Sequence, residues 1–145
     1  MDQCTAPKAR ATKRVLIVDD EPGVLSMLRG LFASFHHGHA YQITTAESAT
    51  DAFGLLRHEQ FDLILLDIAL PAARGLWIKE RHLGLGLLAR FRDLDVTAPV
   101  LVMTGVSKDV AKELEARHAG VAGVLYKPLG VRELDETVER ILRSD

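Results

Sequence analysis

The chain has 145 residues, enough for one domain with a real core and little more. A hydrophobic share of 48% against 26% charged residues excludes a disordered chain, and a net charge of −2 leaves no basic field to attract nucleic acid or an anionic membrane. No run is apolar and long enough to span a bilayer, residues 1–14 lack the apolar centre of a signal peptide, and the lone Cys4 excludes an internal disulfide, so a cytoplasmic protein is expected.

Residues 1–13 are rich in Lys, Arg, Ala and Thr, show no periodicity, and read as a flexible lead-in. Val15, Leu16, Ile17 and Val18 follow without polar alternation, the pattern of a strand buried on both faces. That strand ends in acids: Asp19, Asp20 and Glu21. Pro22 suits the first turn of a helix, whose apolar stripe is Leu25, Leu28, Leu31, Phe32 and Phe35. His36, His37, Gly38 and His39 close it, with Gly38 as the stop. Histidines at a helix end read as solvated partners of the helix dipole rather than as a metal site.

Residues 41–45 alternate and are β-branched, which predicts a more exposed strand. The spacing of Ala49, Ala52, Phe53 and Leu56 predicts a helix over 47–57. Leu63 to Leu66 repeats the buried-strand pattern and runs directly into Asp67, and Pro71 stops any further ladder. Pro99 to Met103 is a fourth strand, ending at Thr104 and Gly105. Ser107 can cap a helix running to His118, with Val110, Ala111 and Leu114 facing inward and Gly120 beyond its end. Residues 121–126 form a fifth strand, ending at Lys127 and Pro128; Val131, Leu134, Val138, Ile141 and Leu142 mark a last amphipathic helix.

A βα unit repeated about five times predicts a parallel sheet with helices on both faces, and ligands of such sheets bind outside the carboxyl ends of the strands. Four strands end there in Asp19-Asp20, Asp67, Thr104 and Lys127. Taken singly, Asp67 and Asp20 could be helix caps, Thr104 a strand-end hydroxyl and Lys127 a solvated charge. Taken together they put carboxylates, a hydroxyl and an ammonium in one cleft. Clustered carboxylates favour a hard divalent cation such as Mg²⁺, and the ammonium and hydroxyl that remain suit phosphate oxygens. A carboxylate can accept a phosphoryl group directly, giving an acyl phosphate.

These residues resemble the receiver domain of two-component response regulators. The matching pieces, in order, are Val15-Leu-Ile-Val-Asp-Asp-Glu21, Asp62-Leu-Ile-Leu-Leu-Asp67 with Leu70-Pro71, Met103-Thr104-Gly105 and Lys127-Pro128, within a span of about residues 13–142. The resemblance implies a flavodoxin-like (βα)5 doubly wound α/β fold with strand order 2-1-3-4-5, and a single receiver domain over 14–143. It implies that Asp67 takes a phosphoryl group from a phosphohistidine on a sensor histidine kinase or a histidine phosphotransfer protein. Asp19, Asp20, Asp67 and the backbone carbonyl of Ala69 would hold Mg²⁺. Lys127 would pair with phosphoryl oxygens, Thr104 would move to bind one, and Gly105 would keep the approach open. The chemistry would be confined to the protein's own phosphorylation and dephosphorylation, switching a partner-binding surface, with no direct nucleic-acid or membrane binding. The helix over 107–118, the fifth strand and the last helix would serve a homodimer. The span from lead-in to a finish after Leu142 favours a stand-alone receiver.

Three departures from the family pattern stand out. The switch position three residues before the lysine is Val124, not an aromatic, and Tyr126 beside the lysine is assigned to the opposite face of the strand. Ala69 and Val106 occupy positions whose side chains in the family act on the hydrolytic water; neither can hydrogen-bond it, so slow spontaneous dephosphorylation is expected. Finally, Gly84 onward resembles the usual start of the third helix, leaving about nine extra residues, 75–83, beside the cleft. These, with Trp77, read as an N-terminal extension of that helix, or else a lid or docking element. Two other functions compete: a degenerate receiver acting as a scaffold, and a haloacid dehalogenase-type phosphatase. The latter normally has a second Asp where Ala69 stands, and its motifs run in a different order.

Overall fold

The computed structural model describes residues 12–68, 91, 94–105 and 120–143. Five strands, β1 (Thr12–Val18), β2 (Ala40–Ala46), β3 (Leu63–Asp67), β4 (Val100–Thr104) and β5 (Val121–Tyr126), pair in one sheet of order β2-β1-β3-β4-β5. Every pairing is parallel. Three helices lie among the described residues: α1 (Pro22–Ser34), α2 (Ala49–Leu56) and α3 (Val131–Arg143). The doubly wound order 2-1-3-4-5 is therefore present. The extra residues 75–83, Trp77 and the helix expected over 107–118 lie outside the described residues.

The unbroken apolar runs are explained by what covers the sheet. Alternate side chains of β1, β3 and β4 go to opposite faces. Leu16, Val18, Ile64, Leu66, Val100 and Val102 pack with Ala52 and Leu56 of α2 and with Phe91. Val15, Ile17, Leu63, Leu65, Leu101 and Met103 pack on the other face with Leu28 and Phe32 of α1 and Leu134 and Val138 of α3. Each such side chain, fully withdrawn from water, contributes about 1.5–3 kcal/mol. Both faces being covered, no alternation survives in the sequence.

The element ends differ from the sequence reading in instructive ways. β1 begins at Thr12, before the apolar run, because Thr12 to Arg14 still have β2 to pair with. Arg14 also anchors the segment leading into β3: its guanidinium lies 4.9 Å from the Phe61 ring centre, pairs with Glu59 and donates to the Gln60 carbonyl at 2.8 Å. α2 starts at Ala49 rather than 47, since Ser48 is buried and its hydroxyl accepts from the Asp51 amide at 3.1 Å. Val131 is 56% exposed, so it does not belong to the buried stripe of α3; it sits at the helix start, where the chain has not yet settled on the sheet.

Of the histidines after α1, His36 is exposed as expected and His37 departs from the solvated reading. α1 ends at Ser34, and Gly38, with φ of +85°, makes the turn that L side chains avoid. His37 is not solvated: its side chain is 3% exposed, its Nδ1 lies 2.6 Å from the Tyr41 hydroxyl and its Nε2 2.6 Å from Asp135 of α3. Its ring stacks on Phe35 at 4.8 Å. Burial and the neighbouring charges of Asp135 and Glu139 push the Tyr41 phenol up to about 12. Among the described residues no helix is long and apolar enough to cross a membrane.

Candidate functional site

The carboxyl ends of β1, β3, β4 and β5 lie side by side, and the ladder fixes what each one presents. Asp19 extends β1 by one rung, its amide donating to the Ala46 carbonyl at 3.0 Å, and it is fully buried. Asp67 is the last residue of β3, in register with Met103 and 4% exposed. Thr104 ends β4, is 1% exposed and stands in register with Tyr126. The Lys127 amide donates to the Thr104 carbonyl at 2.9 Å, so β5 is held to the ladder until the residue whose side chain turns into the cleft. The Lys127–Pro128 bond is cis.

Lys127 is the hub of the cleft. Its Nζ donates to Asp19 Oδ2 at 2.8 Å, to Asp67 Oδ2 at 3.0 Å and to Glu21 Oε1 at 3.3 Å. Burial alone would lower the pKa of this amine, but its hydrogen bond to Asp19 and the charge of Asp67 outweigh that and hold it above the ordinary lysine value. It stays an ammonium. Asp20 is half-buried, and burial first, then the neighbouring Asp19 charge, raises its carboxyl above the usual aspartate value.

One carboxylate oxygen from each of Asp19, Asp20 and Asp67 lies within 4.8 Å of the other two. This oxygen-only, net-negative donor set suits a hard divalent cation and is unsuited to one that prefers nitrogen or sulfur. The residues therefore could hold Mg²⁺. Gly105 is exposed, and a Cβ built there would meet none of the described residues within 4 Å. Ala69, expected to add its carbonyl, and Val106 lie outside the described residues.

Of the residues named from sequence, Asp19, Asp67 and Lys127 are joined by hydrogen bonds, Asp20 is within coordinating reach of both aspartates, and Thr104 closes the adjoining strand. Val124 is part-buried, in register with Val102 and packed against the cluster under α2. The assignment of Tyr126 to the opposite face is wrong: residues 124 and 126 are two apart on one strand and share a face, and Tyr126 is one pleat closer to Lys127. Glu21 joins the site without a sequence motif of its own. Its signal is a third acid closing the same run, and it takes the N-cap position considered for Asp20, though its side chain makes no capping bond.

The chain matches the family model described as response regulator receiver domain over residues 15–139. Protein PilH of Pseudomonas aeruginosa is 30% identical over 130 residues, covering 89% of this chain and 97% of that protein. Transcriptional regulatory protein ZraR of Salmonella typhimurium is 31% identical over 128 residues, covering 88% of this chain but 26% of that protein, so the chain spans about a quarter of its length. Among solved structures, a CheY-like receiver domain protein from Methanospirillum hungatei aligns with a TM-score of 0.70 at 26% identity, covering 92% of this chain and 95% of that one. A two-component response regulator from Clostridium difficile aligns with a TM-score of 0.72 at 27% identity, covering 91% and 97%.

Proposed function

The chain belongs to the response regulator receiver domain family, and from that premise we propose that Asp67 accepts a phosphoryl group from a phosphohistidine on a sensor histidine kinase or histidine phosphotransfer protein. One observation carries the reading: the Lys127 ammonium bridges Asp67, at 3.0 Å, and Asp19, at 2.8 Å. In the transfer an Asp67 oxygen attacks phosphorus and a P–O bond forms. The P–N bond breaks with its electron pair going to the imidazole nitrogen, which takes up a proton from solvent. Hydrolysis later releases the carboxylate when water attacks the same phosphorus.

Lys127 offsets the charge that gathers on the phosphoryl oxygens. Asp19, Asp20 and Asp67, with the Ala69 carbonyl, would hold Mg²⁺, which when bound supplies Lewis-acid neutralisation of those oxygens. The Thr104 hydroxyl donates to one phosphoryl oxygen, and Gly105 leaves room for the donor. A phosphoryl dianion on Asp67 biases a two-state surface through Thr104 and the face of β5 that carries Val124. The receiver unit, 14–143, acts through a protein partner in the cytoplasm, not through direct nucleic-acid contact, and the 107–118 stretch, β5 and α3 offer a surface for a second copy.

Incubation with Mg²⁺ and acetyl phosphate is expected to leave an acid-stable, base-labile label on the wild type and none on Asp67→Asn. Label persisting in that variant would remove Asp67 as the acceptor. Failure of the wild type to label, with folding intact, would favour a scaffold without phosphotransfer.

A further inference from the structure

Lys127 carries three N–H donors and no acceptor. All three have a carboxylate oxygen within reach: Asp19 at 2.8 Å, Asp67 at 3.0 Å and Glu21 at 3.3 Å. A phosphoryl group on Asp67 adds terminal oxygens beside the carboxylate that Lys127 already touches, so those oxygens compete with the existing partners for the three donors. Asp19 is fully buried and makes the shortest bond, with its other oxygen accepting from the Glu21 amide at 2.9 Å; it is locked in place. Asp67 is the acceptor itself. Glu21 has the longest contact and a side chain 61% exposed to water.

A second observation points the same way. Glu21 is the N-cap residue of α1, in extended geometry with φ of −96° and ψ of 110°, yet its side chain makes no bond to the helix. Its carboxylate reaches across to Lys127 instead, one residue past the end of β5. Among the described residues, the other charged groups around that ammonium are Asp19 and Asp67, which the phosphorylated state also requires, and the half-buried Asp20.

We propose that Glu21 is a positioning residue that occupies the third donor of Lys127 and must release it before the phosphoryl group is fully held, so that it weakens phosphoryl binding at Asp67. This rests on Asp67 being the acceptor. The affected quantity is affinity for the phosphoryl group, and the expected size is that of one exposed ion pair, roughly two- to fivefold.

The test uses beryllofluoride, a phosphoryl mimic, titrated calorimetrically into wild type, Glu21→Ala and Glu21→Asp, with Mg²⁺ affinity measured separately so that each is saturated. Glu21→Asp keeps the charge but shortens the reach, and aspartate is a preferred helix cap that would turn to the α1 amides. Both variants are expected to bind beryllofluoride roughly two- to fivefold tighter, with the gap closing as salt is raised. Equal or weaker binding in both overturns the inference, as does a change in urea midpoint with no change in affinity. Tighter binding by Glu21→Ala alone overturns donor competition in favour of simple charge repulsion. No wild-type binding, or binding undiminished in Asp67→Asn, removes the Asp67 reading and the inference with it.

Discussion

Replacing Lys127 by methionine keeps most of the side-chain stem and removes the ammonium that faces two buried carboxylates. Asp19 is 0% and Asp67 4% exposed, so neither can recover its lost hydration. Their oxygens lie within 4.8 Å, where two unit charges repel by about 3.5 kcal/mol at an effective dielectric of about 20. Removing one partner of a buried ion pair costs about 3–5 kcal/mol, a similar size. Without divalent cations, Lys127→Met should therefore lose about 3 kcal/mol of folding stability, read from urea unfolding in chelator. With saturating Mg²⁺ much of the loss should return, because the same carboxylates then have a counter-charge. A loss below about 1 kcal/mol in chelator, the size of an exposed pair, would refute the electrostatic account of the cleft. So would equal losses with and without Mg²⁺.

Other consequences can be checked separately. Phe32, 2% exposed and packed against Phe35 and Tyr41 with ring centres 5.1 and 5.0 Å away, should cost about 3–5 kcal/mol as alanine, measured by urea midpoint. Ser48→Ala removes the cap on the Asp51 amide and should cost about 1 kcal/mol in the same assay. Tyr41, pushed up to about 12 in the folded state from an ordinary 10.0, disfavours ionisation, so its contribution is intact below pH 10 and is lost as pH rises toward 12. Tyr41→Phe should remove a phenol component titrating near 12 from the ultraviolet absorbance and flatten that alkaline loss. If Ala69 and Val106 stand where the family's water-directing side chains do, as the resemblance implies, labelled protein freed of donor should keep most of its label for minutes; loss within seconds would show another water-activating group.

Much of the frame could be read from local pattern. Val15 to Val18 and Leu63 to Leu66 announce themselves because strands covered on both faces need no polar alternation, and the acids that follow must then fall at a strand end. What sequence does not carry is pairing across distance. His37 reads as a helix-end histidine until Asp135, 98 positions away, is seen to cover it. Glu21 looks like the overflow of an acidic run, because nothing local shows that Lys127, 106 positions on, will claim its carboxylate. The face of Tyr126 follows from strand parity alone, since residues 124 and 126 lie two apart, and it is legible without the structure.

The alignment of the site depends on an irregularity that no motif marks. β4 and β5 pair Val100 with Val121 but Leu101 with Gly123, so Ala122 has no partner on β4. A bulge of this kind reverses the alternation of everything beyond it. Its effect is visible in the packing: Val121 sits with the cluster under α2 and Leu125 with the cluster under α1 and α3. Were Ala122 paired with Leu101 in a regular ladder, Thr104 would stand opposite Leu125, a buried leucine would be turned toward the face now held by Tyr126, and Lys127 would emerge one rung too far along. With it, Thr104 meets Tyr126 and its carbonyl receives the Lys127 amide at 2.9 Å. Gly123 stands where a Cβ would come within 3.3 Å of Leu101 Cδ1, so the strand at the bulge is drawn close to its neighbour. The cleft's ammonium thus reaches Asp67 and Asp19 because one residue of β5 is left out of the ladder.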